Sequence, residues 1–254
     1  MPLLKIATWN VNGIRARAGQ VVEWIADERP DVLCLQEIKA TPDQIPGLLL
    51  QLEGYQTCWH GQGTKGYSGV ALHVRDELAA SAPPVRYPAF DFECRAVTRE
   101  VAGITIASIY VPNGGKDFDA KLRFLEEMTD FAARFEAAGT PLVICGDLNV
   151  AHTDQDVHPK ERKRVVGQLP EERERFDRLL AAGLVDVGRA LRPDDNDYFT
   201  WWAPWRNLRQ RNIGWRLDYV LASPSLAARA RACDSRREVG TSDHGPVVAT
   251  FEWS

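Results

Sequence analysis

The alternation of short apolar runs with longer helical patterns constrains this chain more than any other feature of its sequence. Amphipathic spacing predicts one helix over residues 120–138 and a second from Pro170 to near Gly183. A tight turn at residues 101–104 predicts a hairpin between two of the apolar runs. The predicted strands are 4–9, 31–35, 69–74, 96–101, 104–111, 142–145, 217–221 and 247–253. Hairpins mixed with strand–helix–strand units predict a layered α/β fold with both sheet types, in one domain over residues 1–254.

Composition excludes several classes of protein. The chain has 254 residues, of which 44% are hydrophobic and 26% charged, as in ordinary soluble globular proteins. No apolar run approaches the ~20 residues that span a bilayer, and no secretory signal pattern opens the sequence. The 5 cysteines are scattered and never spaced as CxxC. We therefore expect a cytoplasmic protein without a disulfide framework or a zinc site.

The overall charge excludes nucleic-acid binding by bulk electrostatics alone. Lysine and arginine number 31 against 35 aspartate and glutamate residues, and the net charge is -4. A protein that binds nucleic acid through bulk charge would be basic. Any anionic partner must therefore be held by local basic patches or through a metal ion.

Polar side chains stand at the ends of several apolar runs. Asn10 ends the first run, Glu37 follows the second, Tyr110 ends another, and Asp147 and Asn149 follow the run at 142–145. One such residue is usually a solvated strand end, but ligands bind where several strand ends and their loops converge. Together these side chains predict a site for a phosphate or a cation.

Asp147 and Asn149 are two residues apart, which in extended backbone directs both side chains to one face. A carboxylate beside a neutral amide suits a base that removes a proton from water while the amide holds the water. The alternative is an Asx turn that closes the strand, which Asp-x-Asn alone would favour.

A second cluster of candidate residues lies near the C-terminus and comprises Asp218, Asp243 and His244. A carboxylate that meets a histidine raises its pKa and yields an imidazolium that can grip a phosphate. The remaining histidines show no ligand spacing and are interpreted as structural or surface residues; they are His60, His73, His152 and His158.

Tryptophan and arginine residues alternate between positions 201 and 216. The segment also contains proline, asparagine and glycine, which indicates a loop. One interpretation is a core segment whose arginines reach solvent. The other is a nucleic-acid surface that stacks bases and contacts phosphates, supported by a second basic cluster at 160–164. The interleaved residues are Trp201, Trp202, Trp205, Arg206, Arg209, Arg211, Trp215 and Arg216.

Several short motifs occur in one order along nearly the whole chain. They are WNVNGIRA (9–16), LQEIK (35–39), GYSGVA (66–71), IYVPNG (109–114), GDLNVAH (146–152), GWRLDY (214–219) and SDH (242–244). In these motifs the chain resembles the exonuclease III family of apurinic/apyrimidinic endonucleases. The resemblance implies a four-layered α/β sandwich of the deoxyribonuclease I type, with two mostly antiparallel sheets packed face to face between helices.

The resemblance also implies roles for individual residues. Glu37 would be the principal Mg²⁺ carboxylate, and Asp147 would be the general base. Tyr110 would contact the phosphate or the leaving group, and Asp218 would orient an imidazolium at His244. The implied metal site also includes Asn10, Asp147, Asn149 and Asp243. The implied DNA-binding residues are Arg15, Tyr67, Arg95, Asn113, Lys116, Trp201, Trp205, Arg206, Trp215 and Leu217, of which Trp201, Trp215 and Leu217 would line the lesion pocket.

The chain departs from the family pattern in two loops. His158-Pro159-Lys160 stands where family members often have Asn-Pro-Lys, and the basic and apolar run at 162–166 replaces an amide-rich one. The loop with Trp205 and Arg206 is also individual. These departures concern the grip on the DNA strand opposite the lesion, not the chemistry.

The implied function is a Mg²⁺-dependent DNA-repair phosphodiesterase, with Mn²⁺ as a substitute, that incises 5′ to abasic sites. Its products would be 3′-OH and 5′-deoxyribose phosphate, and 3′→5′ exonuclease and 3′-phosphodiesterase activities would accompany incision. The expected partner is duplex DNA with abasic sites or 3′ blocks, bound by a monomer without an obligate protein partner. Two alternatives remain open: a phosphatase for small substrates, and a non-catalytic nucleic-acid-binding regulator.

Overall fold

The computed structural model describes residues 2–61 and 66–253. The strands are β1 (Leu3–Asn10), β2 (Val32–Gln36), β3 (Tyr55–His60), β4 (Val70–Arg75), β5 (Ala96–Val101), β6 (Ile104–Tyr110), β7 (Leu142–Asp147), β8 (Val185–Asp186), β9 (Asp218–Ala222), β10 (Ala230–Ser235) and β11 (Val247–Glu252). The helices are α1 (Ile14–Glu28), α2 (Gly47–Leu50), α3 (Asp76–Ala79), α4 (Phe118–Ala137), α5 (Pro170–Ala181), α6 (Val187–Leu191) and α7 (Pro224–Ala227). Short 3₁₀ turns lie at Pro42–Gln44, Asp154–Asp156 and Pro159–Glu161.

The strands form two mixed sheets. One has six strands in the order β10-β11-β1-β2-β4-β3, and the other has five in the order β5-β6-β7-β9-β8. Among the described strands, β1 with β2 and β6 with β7 run parallel, and the other neighbouring pairs are antiparallel. The predicted hairpin joins β5 to β6, with Ala102 at φ 48° and Gly103 at φ 79° in the turn. Glycine suits a turn with positive φ at both central positions.

Three hydrophobic clusters separate four layers. The central cluster lies between the sheets and contains residues such as Val32, Cys145 and Phe251. A second cluster packs α4 and α5 on the five-stranded sheet. A third packs α1 and α2 on the six-stranded sheet. This arrangement confirms the predicted four-layered sandwich. Within the described residues, no helix is long and apolar enough to span a bilayer.

The strands that the sequence did not predict are β3, β8 and β10, and all of them lie at sheet edges. An edge strand has fewer neighbours, so fewer of its side chains are buried and its apolar pattern is weaker. Most of β3, for example, is only half-buried. Helix α1 was also missed, although Ile14, Ala18, Val21 and Ile25 are buried at helical spacing. Helix α4 begins two residues earlier than predicted, because the Asp117 carboxylate accepts the Ala120 amide at 2.8 Å and caps it.

A buried polar ladder joins the two sheets beneath the strand ends. Thr8 donates to Gln36 Oε1 at 3.0 Å, and Gln36 Nε2 donates to Ser108 Oγ at 3.2 Å. All three side chains are fully buried. Buried polar groups are retained where they are hydrogen-bonded, and these bonds fix β1 and β2 against β6 close to the strand ends. No disulfide joins any of the cysteines in the part of the chain that the structure describes.

Candidate active site

The predicted polar strand ends converge at one edge of the sandwich. Asn10 Nδ2 lies 3.0 Å from Glu37 Oε1 and 2.8 Å from Asp147 Oδ2, which joins the ends of both sheets. The Tyr110 hydroxyl donates to Glu37 Oε1 at 2.9 Å. Burial raises the pKa of Tyr110 well above its usual value, and the Glu37 carboxylate raises it further, so the phenol keeps its proton.

Strand β7 approaches β6 closely at the residue before Asp147. Gly146 precedes it in β7 at φ 149°, and a Cβ there would lie 1.8 Å from the Ile109 carbonyl oxygen of β6. Only glycine fits this position. The Val111 amide then donates to the Asp147 carbonyl at 2.9 Å, which continues the parallel ladder past the end of β6.

The expected extended geometry between Asp147 and Asn149 is wrong, although their side chains do meet. Strand β7 ends at Asp147, and Asn149 has φ 51°. The Asn149 amide donates to Asp147 Oδ1 at 2.9 Å, as in an Asx turn, and its Nδ2 lies 3.3 Å from Asp147 Oδ2. The Asx turn therefore brings the two groups together.

His244 lies between two carboxylates. Its Nδ1 is 2.8 Å from Asp218 Oδ2, and its Nε2 is 3.8 Å from Asp147 Oδ2. Burial alone would lower the pKa of His244, but the Asp218 and Asp147 carboxylates outweigh it and raise the pKa to about 10. The ring is therefore an imidazolium at neutral pH.

Asp147 has an unusual protonation equilibrium. Burial raises the pKa of its carboxyl from 3.8 to about 7, with His244 opposing this and the Asp218 and Glu37 charges adding to it. A carboxylate with a pKa near neutral pH is a stronger base than an ordinary carboxylate. At neutral pH a substantial fraction of it is still in the ionised form that accepts a proton.

The Glu37 carboxylate is already paired with one cationic group. Its Oε2 lies 2.6 Å from Lys39 Nζ, which also donates to Asn12 Oδ1 at 2.6 Å. Burial would raise the pKa of Glu37, but Lys39 and Asn10 outweigh it and hold the pKa below its usual value. The set of oxygen donors around this ammonium fits a hard divalent cation.

Among the described residues, one group of side chains has the spacing of a metal site, and it contains Glu37, Asp147 and His244 within 4.8 Å of one another. Asp243 lies outside that group, and Asn12 Nδ2 and Trp201 Nε1 donate to its two oxygens at 2.8 and 3.0 Å. Asn10 presents its NH₂ to the carboxylates, while its oxygen accepts the Asn12 amide. Asn149 likewise points its NH₂ at Asp147.

The three predicted lesion-pocket residues share one apolar cluster. Leu217 is buried with Ala151 and Val157, and the half-buried rings of Trp201 and Trp215 pack against them. The two rings meet edge to face, with centroids 5.3 Å apart. Backbone bridges join Trp201 to both Trp215 and His244, so the cluster adjoins the imidazolium.

The arginines of the 201–216 segment separate into two kinds. Arg206 and Arg211 are exposed, as is Trp205, whereas Arg209 donates to three backbone carbonyls. Arg216 is buried and bound by the Asp156 and Asp186 carboxylates at 2.7 Å. The interpretation of the whole segment as a nucleic-acid surface is therefore wrong for Arg209 and Arg216, because both stabilise the fold from within.

A cleft of about 690 Å³ extends from Tyr110 to the exposed side chains of Tyr67, Asn113 and Lys116. Arg95, also predicted to hold DNA, is only 1% exposed in its floor. Its guanidinium donates to the Tyr67 hydroxyl at 2.8 Å and lies 4.7 Å from the Tyr110 ring centroid. Outside this cleft, Arg15 is exposed in the first turn of α1.

Comparison with known proteins identifies the family. A model of the endonuclease/exonuclease/phosphatase family matches residues 7–244. The chain belongs to this family. It is 34% identical over 250 residues to the exodeoxyribonuclease of Bacillus subtilis, covering 96% of this chain and 98% of the relative.

Two solved structures are similar to this family member over its length. One is the 3′ phosphatase NExo from Neisseria bound to a product DNA hairpin, with TM-score 0.88 and 32% identity over 98% of this chain and 100% of that chain. The other is an AP endonuclease from Archaeoglobus fulgidus, with TM-score 0.87 and 31% identity over 98% of this chain and 100% of that chain. The resemblance inferred from the motifs is confirmed.

Sequence reasoning missed four site neighbours in this family member. Asn12 and Lys39 both lie in quoted motifs and have positive φ, at 44° and 50°. Non-glycine residues held at positive φ cluster at functional sites, but φ is not readable from residue type. Lys121 and Glu172, buried behind Asn149, lie in predicted helices, where charged residues are ordinarily assigned to solvent.

Proposed function

We propose that this chain is a divalent-metal-dependent DNA-repair nuclease that hydrolyses the backbone 5′ to abasic sites, leaving 3′-OH and 5′-deoxyribose phosphate. The same site would act on 3′ ends as a 3′→5′ exonuclease and a 3′-phosphodiesterase. The observation that carries the proposal is the buried Asp147 carboxylate, held by Asn10 and facing an imidazolium that Asp218 sustains. The names of the relatives, an exodeoxyribonuclease, a 3′ phosphatase and an AP endonuclease, support the substrate class.

Asp147 would act as the general base. Its pKa of about 7 suits proton transfer from the attacking water at neutral pH. The Asn149 amide group beside it would orient that water. Asp147 and His244 are both buried and lie 3.8 Å apart, so protonation of one depends on the charge of the other.

His244 would bind the scissile phosphate. Its imidazolium places a donor and a positive charge at a buried position, where charge stabilisation of a phosphorane-like transition state is strong. Asp218 holds the ring in orientation through Nδ1, which leaves Nε2 directed into the site. The Tyr110 hydroxyl, kept protonated, would contact a phosphate oxygen or the leaving group.

The cofactor would be Mg²⁺, with Mn²⁺ as a substitute, because the candidate ligands are mainly oxygen atoms. Glu37 would hold the ion, supported directly or through water by Asn10, Asp147, Asn149 and Asp243. When bound, the ion would neutralise phosphate charge and stabilise the leaving alkoxide.

DNA would be held by exposed groups on both sides of this site. Tyr67, Asn113 and Lys116 would contact the backbone along the cleft, with Arg95 supporting Tyr67, and Arg15 would contact it from α1. The cluster of Trp201, Trp215 and Leu217 would accept the abasic sugar, which costs little to unstack because it has lost its base. Exposed Trp205 and Arg206 would contact the duplex beyond the lesion.

One copy of the chain would suffice for this reaction, because every proposed catalytic side chain belongs to one polypeptide. We therefore propose that the protein is a monomer and that it acts on DNA in the cytoplasm. Sedimentation of the protein alone and with a duplex substrate would measure this stoichiometry.

The function is tested with three end-labelled duplexes: one with a tetrahydrofuran abasic analogue, one intact, and one with a 3′-phosphate. With Mg²⁺ we expect incision 5′ to the analogue and removal of the 3′-phosphate, and with EDTA neither. Asp147→Asn should lower both rates roughly 10²–10⁴-fold while DNA binding is retained. Asp177→Asn, at the surface partner of His152, is the matched control. DNA binding without cleavage, or hydrolysis of small phosphate esters alone, would contradict the proposal.

A further inference from the structure

A buried ion pair links α4 to α5 behind the active site. Lys121 Nζ contacts Glu172 Oε1, and both side chains are 0% exposed. Burying two charges is costly, and replacement of such a pair by uncharged groups of similar volume is often neutral or stabilising in other proteins. Stability alone therefore does not account for this pair, and the remaining bonds of each partner carry the argument.

The Lys121 ammonium makes two further bonds, both to loops of the active site. It donates to the Asn149 carbonyl at 2.7 Å and to the Asn113 carbonyl at 3.3 Å. With Glu172, these acceptors use all three of its protons. Asn149 has a φ of 51°, in the left-handed region that asparagine tolerates better than most residues, and the bond from Lys121 to its carbonyl holds the turn in this conformation.

The Glu172 carboxylate fixes a third loop. It accepts the Gly167 amide at 2.7 Å and the Leu169 amide at 2.9 Å. Gly167 in turn accepts the Ala151 amide at 2.7 Å, and a Cβ on it would lie 3.0 Å from the Trp215 ring. The buried pair therefore holds the residues that directly follow the 158–166 loop as well as the turn at Asn149.

We propose that Lys121 and Glu172 are a positioning pair that orients the Asn149 turn and the bordering loops for catalysis. This rests on the proposed function, in which Asn149 orients the attacking water. Neither residue would touch the substrate. Because a small misplacement of a reacting group can cost about 10²-fold, a loss of orientation should lower kcat while leaving KM nearly unchanged.

The test uses Lys121→Met with Glu172→Gln, which removes both buried charges at similar volume and keeps an acceptor for the Gly167 amide. We expect a melting temperature close to that of the parent, and kcat on the abasic duplex about 10- to 100-fold lower. The matched control is Arg175→Gln, because Arg175 pairs with Glu126 between the same two helices at 2.9 Å without touching an active-site loop. It should leave kcat and KM unchanged.

Two further measurements separate positioning from a purely structural role. In an Asn149→Ala background the paired substitution should lower kcat little further, since both changes would remove the same contribution. Hydrogen exchange should be faster at the Gly167 and Leu169 amides, because the neutral oxygen of glutamine is a weaker acceptor than the carboxylate they share, and it should be unchanged in the Arg175→Gln control. Exchange is measured without substrate, so it tests the pair even if the parent proves inactive on abasic DNA.

Several outcomes would overturn the proposal. An unchanged kcat in the paired variant would do so, as would full multiplication of its effect with that of Asn149→Ala. If this variant and single Glu172→Gln both lose activity only in proportion to a fall in melting temperature, the pair stabilises the fold and does nothing more.

Discussion

Replacing Asp218 by asparagine should move the alkaline limit of activity to lower pH. The substitution keeps the size of the side chain but removes the charge 2.8 Å from His244 Nδ1. Both residues are buried, so solvent would not replace the lost charge. The imidazolium should then lose its proton at a lower pH, and the neutral ring would bind the scissile phosphate less strongly.

The size of the effect follows from the local electrostatics. A pKa of about 10 against the ordinary 6.5 corresponds to about 5 kcal/mol in favour of the charged ring. That value is net of burial, which favours the neutral ring, and Asp147 and Asp243 also contribute to it. One charge-assisted hydrogen bond contributes about 1.5–3 kcal/mol. We therefore expect the alkaline limb to fall by about one to two pH units, which lowers the rate about 5- to 50-fold at pH 10 but no more than about twofold at pH 8.

The pH dependence of the free energy of unfolding should shift to lower pH, as that of activity does. Because the folded pKa of His244 is raised, its contribution is fully present below 6.5 and is lost as the pH rises through about 10. In Asp218→Asn this loss should begin at lower pH. Urea unfolding at pH 6, 8 and 10 measures it.

The assay is the pH dependence of single-turnover incision of a tetrahydrofuran duplex at saturating Mg²⁺. Asp177→Asn serves again as control, because Asp177 Oδ1 lies 2.6 Å from His152 Nε2 at the surface. Its profile should match that of the parent. If Asp218→Asn keeps the alkaline limb of the parent, His244 is not charged by Asp218 and the reasoning fails.

Three further predictions concern the metal, the lesion pocket and the core. Glu37→Gln should keep the fold but require more Mg²⁺ for the same rate, and a metal titration that coincides with that of the parent would exclude Glu37 as a ligand. Trp201→Ala should shift the ratio of abasic incision to 3′-end cleavage. Trp201→Phe should preserve that ratio although it loses the hydrogen bond to Asp243. A fall of both activities in parallel with the melting temperature would assign Trp201 to the core. Arg216 and Arg189 outweigh burial and lower the pKa of Asp156 to about 2, so its stabilisation is present above about 3.8 and lost as the pH falls through 2. Asp156→Asn should cost about 3–5 kcal/mol at pH 7 and less at pH 2, measured by urea unfolding.

The residue order by itself determined the fold class and most of the site. Strands in the interior of a sheet are buried on both faces, so β1, β2, β6 and β7 must be apolar to their ends, and a polar residue there is conspicuous. Asn10, Glu37, Tyr110 and Asp147 were found for this reason. Edge strands carry no such requirement, and β3, β8 and β10 were missed.

Only the tertiary structure decided what each charged group does. Arg206 and Arg216 lie in one loop-rich segment with similar neighbours in sequence, yet one is exposed and the other is buried between two carboxylates. Because Lys121 is charged, its sequence position predicts a side chain in solvent. In the structure that side chain is buried behind Asn149. The pKa values of Asp147 and His244 likewise depend on burial and on charges more than twenty residues away in the chain. Hydrophobic patterning is local and readable, whereas the field at a buried charge is the sum over groups that only the folded chain brings together.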